Sequence, residues 1–214
     1  MLRPMPGRRT RSIAAGLLLL GLVGGYAWWR DGGKRLFFPR NWGVVEEGWL
    51  FRSGQIHPRI IVPVLREHEI DVVIDLARDD ARVESAVAEQ RAVRALGIRK
   101  VDLWGLDGTG TGEVDAYVGA LAEIARARAS GERVLLHCSA GSERTGGAIA
   151  LYRMLYDGWD GRAAWDEYLT YRNRPPKNRK LVKFVNRHLP AIAARLRESG
   201  ALDATPEPLP VFGP

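Results

Sequence analysis

The chain has 214 residues, of which 46% are hydrophobic and 27% are charged, an ordinary composition for a globular protein with one sizeable core. Its formal net charge of +7 belongs to the N-terminus, because residues 1–40 carry eight Lys or Arg and one acid, whereas the rest carries 24 basic and 24 acidic residues. The near-neutral remainder excludes the broad basic surface of a nucleic-acid-binding protein, and the single cysteine excludes an intramolecular disulfide.

The N-terminal segment has an uncharged, mostly apolar run over 13–29, preceded by a basic tail over 1–12. As an α-helix this run is about 25 Å long, near the lower limit for the hydrocarbon core of a bilayer. It ends in Tyr26, Trp28 and Trp29, residue types that favour the membrane interface. We expect an uncleaved single-pass anchor followed by a basic linker over 30–40. A cleaved signal peptide and a buried helix are the alternatives.

The basic residues on the two sides of this run predict its orientation. Four arginines and the amino terminus precede the run, and Arg30, Lys34, Arg35 and Arg40 follow it. The positive-inside rule favours a cytoplasmic N-terminus. We therefore expect the domain that follows to lie outside the cytoplasm.

From residue 41 to 200, short apolar runs alternate with amphipathic segments. This pattern predicts one α/β domain with a mostly parallel sheet covered by helices on both faces. The strands are predicted over 48–55, 71–76, 98–103 and 133–137. The helices are predicted over 58–69, 81–96, 113–129, 145–157, 161–171 and 178–197, and a glycine-rich loop spans 105–112. Residues 201–214 form a proline-rich tail that we expect to be extended or disordered from 203 onward.

One stretch of the domain is strongly basic. Residues 172–197 contain nine Lys or Arg and no acid. The ordinary interpretation is a solvated helix face, and the alternative is a patch that meets anionic lipid or an acidic substrate.

Residues 137–146 read His-Cys-Ser-Ala-Gly-Ser-Glu-Arg-Thr-Gly and contain the only cysteine of the chain. An apolar strand precedes this segment and a small-residue helix follows it, so backbone N–H groups at the helix start form a site for an anion. We expect a phosphate to be bound by the residues between the strand and the helix, namely Ser139, Ala140, Gly141, Ser142, Glu143 and Arg144.

The residue types in this segment suit nucleophilic attack on a phosphate. A helix N-terminus and a nearby cation lower the pKa of a cysteine from about 8.5 to roughly 3.5–7.5, which makes Cys138 a candidate nucleophile. Arg144 offers a planar fork for two phosphate oxygens, which a lysine would not reproduce. Thr145 places a hydroxyl beside the thiol, where it steadies the thiolate or assists the second hydrolytic step. A buried, inert cysteine is the alternative, which the register of Arg144, Thr145 and the glycines disfavours.

The pattern His-Cys-five residues-Arg-Thr resembles the signature of the cysteine-dependent protein tyrosine phosphatase superfamily, with matches at His137, Cys138, Gly141, Arg144 and Thr145. Two flanking segments, 41–55 and 72–78, are similar to the compact dual-specificity phosphatases of bacteria, plants and fungi. The resemblance covers residues 41 to about 190. It implies their fold and hydrolysis of phosphomonoesters through a phosphocysteine intermediate, and no metal or other cofactor is implied. We expect His137 to orient the loop and not to act as a base.

The resemblance also implies a general acid, drawn from a loop roughly thirty residues before the cysteine. Asp107 lies 31 positions before Cys138, in the glycine-rich loop, and is the leading candidate. Asp115 and Asp102 stay open as alternatives, although the first turn of a helix and a strand also explain them without catalysis. Arg52 and Arg78 either face the site or are ordinary surface arginines.

The segment after Cys138 contains no lysine, unlike that of many family members acting on inositol phosphates. It has Ser139 and Ser142 instead, and Glu143 before the arginine, which favours a substrate with one phosphate. We expect a monomeric protein-tyrosine or dual-specificity phosphatase. A phospholipid or phosphoinositide monophosphate phosphatase is the alternative. A membrane-tethered phosphate-binding module without turnover is the alternative of another class.

Overall fold

The computed structural model describes residues 8–77, 83–171 and 175–214, and the chain divides into two compact units, Met1–Phe38 and Pro39–Pro214. The first unit consists of helix α1 (Arg8–Asp31) and a short 3-10 helix (Gly33–Leu36). The apolar run 13–29 lies within α1. Among the residues that the structure describes, no helix is both long and apolar enough to cross a membrane, so the predicted anchor is not confirmed.

The second unit is built on a five-stranded sheet in the order β1-β2-β5-β3-β4. Its strands are β1 (Gly43–Glu46), β2 (Leu50–Gly54), β3 (Val72–Asp75), β4 (Arg99–Asp102) and β5 (Val134–Cys138). Among the described strands only β1 runs antiparallel to its neighbour, which confirms a mostly parallel sheet with β5 at its centre. The sequence analysis did not predict β1, because this short edge strand is largely accessible and lacks the apolar run of a buried strand.

Helices cover both faces of this sheet, as the alternating pattern predicted. They are α2 (Ile61–Glu67), α3 (Glu84–Leu96), α4 (Val114–Ser130), α5 (Glu143–Leu155), α6 (Gly161–Leu169) and α7 (Pro175–Glu198). Side chains of α2 and α3 pack with Leu135 on one face, whereas α4, α5, α6 and α7 pack with Leu136 and Cys138 on the other. Successive residues of β5 therefore point to opposite faces.

The basic stretch over 172–197 lies mostly on α7. Within its described part, Arg179, Lys180, Lys183 and Arg187 are exposed, while Leu181, Val185 and Leu189 are buried. This alternation is that of an amphipathic helix with a solvated basic face. The alternative role in contacting an anionic partner stays a prediction.

The C-terminal segment packs against the domain. It has no helix or strand, but the side chains of Leu202 and Phe212 are buried. The Phe212 ring meets those of Trp165 and Tyr168 edge-on, and the Asn186 side chain bonds both the N–H and the carbonyl of Phe212 at 2.8 Å. Of the two expectations for this segment, extended or disordered, the structure has an ordered chain without helix or strand, because one aromatic side chain anchors the proline-rich segment.

Candidate active site

The Cys138 loop (residues 138–144) lies at the edge of the sheet where the parallel strands end. Cys138 is the last residue of β5, and Glu143 is the first residue of α5, two residues earlier than predicted. In register, Gly54 of β2 is beside Cys138, and Asp75 of β3 is beside His137. The loop is therefore flanked by the ends of two strands, which is where open α/β sheets bind their ligands.

Cys138 is buried and its sulfur accepts a hydrogen bond from the Gly141 N–H at 3.2 Å. Burial by itself raises the pKa of the thiol. The Arg144 charge, the Thr145 hydroxyl and the N–H groups of Thr145 and Ala140 more than offset this effect and lower the pKa below its ordinary value. A lowered pKa is what a nucleophilic thiol requires and an inert buried cysteine lacks.

Arg144 is held between the loop and strand β3. One terminal nitrogen donates to the Leu76 carbonyl and the other to the Ser139 hydroxyl, each at 3.0 Å. Its buried Nε makes no hydrogen bond to any of the described residues. The guanidinium is thus oriented from two sides and keeps a donor for a phosphate oxygen.

The loop packs so closely on β2 that two glycines are required. Gly141 has φ +66°, and a Cβ there would lie 2.4 Å from the Gly54 nitrogen, while a Cβ at Gly54 would lie 2.8 Å from the Ala140 carbonyl. The Asn41 side chain donates to the Ala140 carbonyl at 2.9 Å and to the Ser142 hydroxyl at 3.2 Å. The first of these contacts occupies a loop carbonyl, and the Gly141 N–H turns the other way, to the Cys138 sulfur.

Arg52 also contacts the Cys138 loop. It is fully buried on β2, donates to the Gly141 carbonyl at 2.8 Å, and lies 3.5 Å above the centre of the Tyr171 ring. Burial lowers the pKa of this guanidinium to about 10. The interpretation of Arg52 as an ordinary surface arginine is therefore wrong; its position inside an apolar strand was the available signal. Arg78, paired with it in the sequence analysis, lies outside the described residues.

Two residues predicted to bind phosphate direct their side chains elsewhere. The Ser142 hydroxyl donates to the Tyr171 carbonyl at 3.1 Å, and the Tyr168 hydroxyl donates to the Glu143 carboxylate. Any contact of Ser142 or Glu143 with a phosphate would then come from the backbone. The Glu143 carboxylate is bonded to Tyr168 and would add no negative charge beside a bound phosphate.

The glycine-rich loop that carries Asp107 packs against the start of α5. The Tyr117 hydroxyl donates to the Gly110 carbonyl at 2.7 Å, and a Cβ at Gly110 would lie 3.0 Å from the Glu143 carbonyl oxygen. Asp107 itself accepts bonds from the N–H and hydroxyl groups of Thr109, both at 2.7 Å, and of Thr111, both at 3.2 Å. Partial burial raises the pKa of Asp107, but these four bonds dominate and lower it.

The two rival acids are engaged in ion pairs. Asp115 pairs with Arg195 of α7, and Asp102 lies 2.8 Å from the Lys100 nitrogen. Asp107 is the candidate whose own loop contacts the helix that begins at the Cys138 loop.

His137 is fully buried and points to the face opposite Cys138, toward α3. Its Nε2 lies 3.1 Å from Glu89 and its Nδ1 lies 3.6 Å from Asp75. Burial opposes the charged form, but these two carboxylates raise the pKa of His137 to about 10. Asp75, Glu89 and His137 have the ligand types of a metal site. However, the Lys100 nitrogen already lies 3.5 Å from Asp75 and 3.3 Å from Glu89.

The family model for the catalytic domain of dual specificity phosphatases matches residues 55–188 of the chain. No curated protein sequence matches the chain. Among solved structures, P. aeruginosa TpbA is 21% identical with a TM-score of 0.58, covering 74% of this chain and 91% of that one. A TpbA variant in complex with pTyr is 22% identical with a TM-score of 0.55, covering 71% and 87%.

A third similar structure is the core catalytic domain of the PP-IP phosphatase SIW14 from S. cerevisiae in complex with citrate. It is 17% identical with a TM-score of 0.59, covering 78% of this chain and 97% of that one. At these identities the structural likeness shows a common fold.

Proposed function

Because the chain belongs to the family of dual specificity phosphatase catalytic domains, and is therefore a cysteine-based phosphatase, we propose that it removes single phosphate groups from phosphotyrosine or phosphothreonine side chains. The observation that carries this proposal is the charge of the Cys138 loop. Within that loop Arg144 is the one basic side chain, and the acidic side chain of Glu143 is directed into the protein.

The proposed reaction has two displacements at phosphorus. The Cys138 thiolate attacks, so that an S–P bond forms as the P–O ester bond breaks, and Asp107 gives its proton to the leaving oxygen. Water then attacks the phosphocysteine, the P–S bond breaks with the electron pair returning to sulfur, and Asp107 takes a proton from the water. Arg144 and the loop N–H groups stabilise the charge of the phosphoryl oxygens in both steps.

The contacts of Asp107 suggest that its loop rearranges during this cycle. Four hydrogen bonds from Thr109 and Thr111 favour the carboxylate, whereas the first step needs the protonated acid. Closure of the glycine-rich loop over a bound substrate would replace these bonds with the leaving oxygen.

The similar structures include phosphatases of different substrates, so the charge of the Cys138 loop is the argument for one phosphate. TpbA has been solved with pTyr, a ligand with one phosphate group, whereas SIW14 is a PP-IP phosphatase. A substrate with several phosphates calls for several cations, and the Cys138 loop supplies Arg144 alone.

A phospholipid or phosphoinositide monophosphate is the second candidate substrate. It is favoured by the exposed apolar side chains of α1, namely Leu19, Leu20, Leu22, Val23 and Tyr26. Such a surface suits contact with lipid, and the predicted membrane attachment of this segment stays a prediction.

The purified full chain tests the proposal with a phosphotyrosine peptide, a phosphothreonine peptide and phosphatidylinositol monophosphate in detergent micelles. We expect the highest kcat/KM with a peptide and complete loss of turnover in Cys138→Ser. A preference for the micellar lipid would replace the protein substrate with the second candidate. Tight peptide binding without turnover by the unaltered chain would instead indicate a binding module.

A further inference from the structure

A buried charge network, consisting of Asp75, Glu89, Lys100 and His137, lies on the face of the sheet opposite the Cys138 sulfur. We propose that Glu89 of α3 and Lys100 of β4 are positioning residues that act on the Cys138 thiolate through His137. The inference rests on the proposed function only in taking Cys138 as the nucleophile. It extends the site to two elements, α3 and β4, that do not form the Cys138 loop.

The four side chains of the network are each at most 7% exposed, and Lys100 and His137 each lie within ion-pair distance of both carboxylates. Glu89 is fixed from three sides, by His137 at 3.1 Å, by Lys100 at 3.3 Å and by the amide of Gln55 at 3.0 Å. Because Glu89 is so constrained, its negative charge is held at a fixed place beside the His137 ring.

The charges of the network balance in only one protonation state of the histidine. Asp75 and Glu89 carry two negative charges and Lys100 carries one positive charge, so a protonated His137 makes the buried sum zero. Asp102 also meets Lys100 at 2.8 Å, but its side chain is 28% exposed and is screened by water. Since an unbalanced buried charge is costly, the network holds His137 as an imidazolium.

The imidazolium lies one residue from the thiol on the same strand. Alternation along β5 keeps His137 out of the pocket, so its influence on Cys138 is electrostatic and not a proton transfer. The other groups that interact electrostatically with Cys138 are Arg144 and Thr145 of α5, Arg52 of β2 and Tyr117 of α4. A positive charge at His137 favours the thiolate over the thiol.

The network also fixes the turn that holds Arg144. The Asp75 carboxylate accepts from the Ala77 N–H at 2.7 Å, and the Leu76 N–H donates to the His137 carbonyl at 2.9 Å. Arg144 donates to the carbonyl of this same Leu76. The network therefore positions the charged His137 ring. It also positions the Leu76 carbonyl, which accepts a hydrogen bond from Arg144.

The test is the pH dependence of Cys138 alkylation by iodoacetamide. The chain has no other cysteine, so the reaction reports its thiolate whether or not phosphate is hydrolysed. In Glu89→Gln the network loses a negative charge, His137 becomes neutral at lower pH, and the thiol pKa rises. We expect alkylation near pH 8, above the ordinary histidine pKa of about 6.5, to slow about three- to tenfold, with normal circular dichroism. Glu84→Gln, the same change at an exposed position of α3, should leave the rate unchanged.

Two further variants make the test decisive. Lys100→Met leaves the carboxylates uncompensated and should raise the thiol pKa as well, which keeps the proposal testable if Glu89→Gln does not fold. In a His137→Gln background, Glu89→Gln should change the rate by less than twofold. The proposal is overturned if the Glu89→Gln and Glu84→Gln profiles coincide, or if the Glu89 effect persists in full without His137. A zinc-dependent alkylation profile of the unaltered chain would also overturn it, by placing a metal where Lys100 lies.

Discussion

Cys138 is buried, yet its thiol is acidified, because the Arg144 guanidinium and the polar groups of Thr145 and Ala140 stabilise the thiolate more than burial destabilises it. Individual contacts therefore decide the chemistry at this scale. Arg144 supplies a positive charge to the site, and its hydrogen bonds to Leu76 and Ser139 orient it. In the same way, hydrogen bonds from Thr109 and Thr111 lower the pKa of Asp107.

Replacing Arg144 by lysine should reduce activity sharply. The substitution keeps the charge but removes the fork that bonds Leu76, Ser139 and a phosphate oxygen together. We expect kcat on a phosphotyrosine peptide to fall about 10²- to 10³-fold, the usual cost of losing one oriented donor. Arg162→Lys, an exposed arginine of α6, is the matched control and should retain full activity.

Asp107→Asn should lower kcat about 10²- to 10⁴-fold on a phosphothreonine peptide, whose poor leaving group needs a proton. Inhibition by vanadate should change little, because the Cys138 loop is untouched. Asp115→Asn and Asp102→Asn serve as controls for the two rival acids. Retained turnover in Asp107→Asn, with loss in either control, would transfer the role of general acid to that residue.

At the scale of elements, the site forms where β5 passes into α5 and where the ends of β2 and β3 close on that junction. The helix start supplies N–H groups, and β2 supplies the surface against which the loop turns. The Cys138 loop and β2 lie so close together that each needs a glycine, Gly141 in the loop and Gly54 in the strand. The geometry of the loop thus depends on the pairing of β2 with β5.

Gly54→Ala should damage catalysis without touching a catalytic group. The added Cβ would lie 2.8 Å from the Ala140 carbonyl and would push the Cys138 loop off β2. A displacement of about 1 Å costs up to 10²-fold in rate, so we expect kcat/KM to fall by tenfold or more. Gly24→Ala in α1, where a Cβ meets nothing within 4 Å, should be neutral in the same assay.

At the scale of the whole molecule, the two faces of the sheet carry different functional groups. The face toward α4, α5 and α7 carries the thiol, and the face toward α2 and α3 carries the buried charge network. The C-terminal segment closes the first face through Phe212, which packs on Tyr168. Tyr168 in turn bonds Glu143 at the start of α5, so the segment supports the helix that begins at the site.

Phe212→Ala should destabilise the protein by about 3–5 kcal/mol, because it removes a fully buried ring and leaves a cavity between α6 and α7. Urea unfolding measures the change. Val211→Ala removes a side chain that is 74% exposed and should shift the midpoint little. Equal midpoints for the two variants would show that the segment does not stabilise the domain.

Stability should also fall as pH rises through the titration of His137. The folded pKa of about 10 lies above the ordinary value of about 6.5, so the charged histidine stabilises the fold fully below pH 6.5. That contribution is lost between pH 6.5 and 10, with a slope of at most about 1.4 kcal/mol per pH unit. Urea unfolding of Cys138→Ser, which removes the thiol titration, should show this slope. Adding His137→Gln should reduce it.

The sequence by itself determined the alternating α/β pattern, the central strand and the strand-loop-helix segment from His137 to Gly146. These features are local, since apolar runs and a six-residue step from Cys138 to Arg144 are visible within short windows. Asp107 was proposed from the resemblance to the phosphatase superfamily, and its role stays a prediction.

Only the tertiary structure decided how distant residues meet. Arg52 reaches a loop 89 residues away, Glu89 meets His137 and Lys100 from separate elements, and Phe212 anchors a segment expected to be extended or disordered. Edge strand β1 likewise exists through its pairing with β2 and not through its own apolar pattern. Such contacts depend on which strands become neighbours and on what they bury. The apolar strand around Arg52 indicates burial, but no local pattern shows which loop Arg52 meets or that Glu89 is buried.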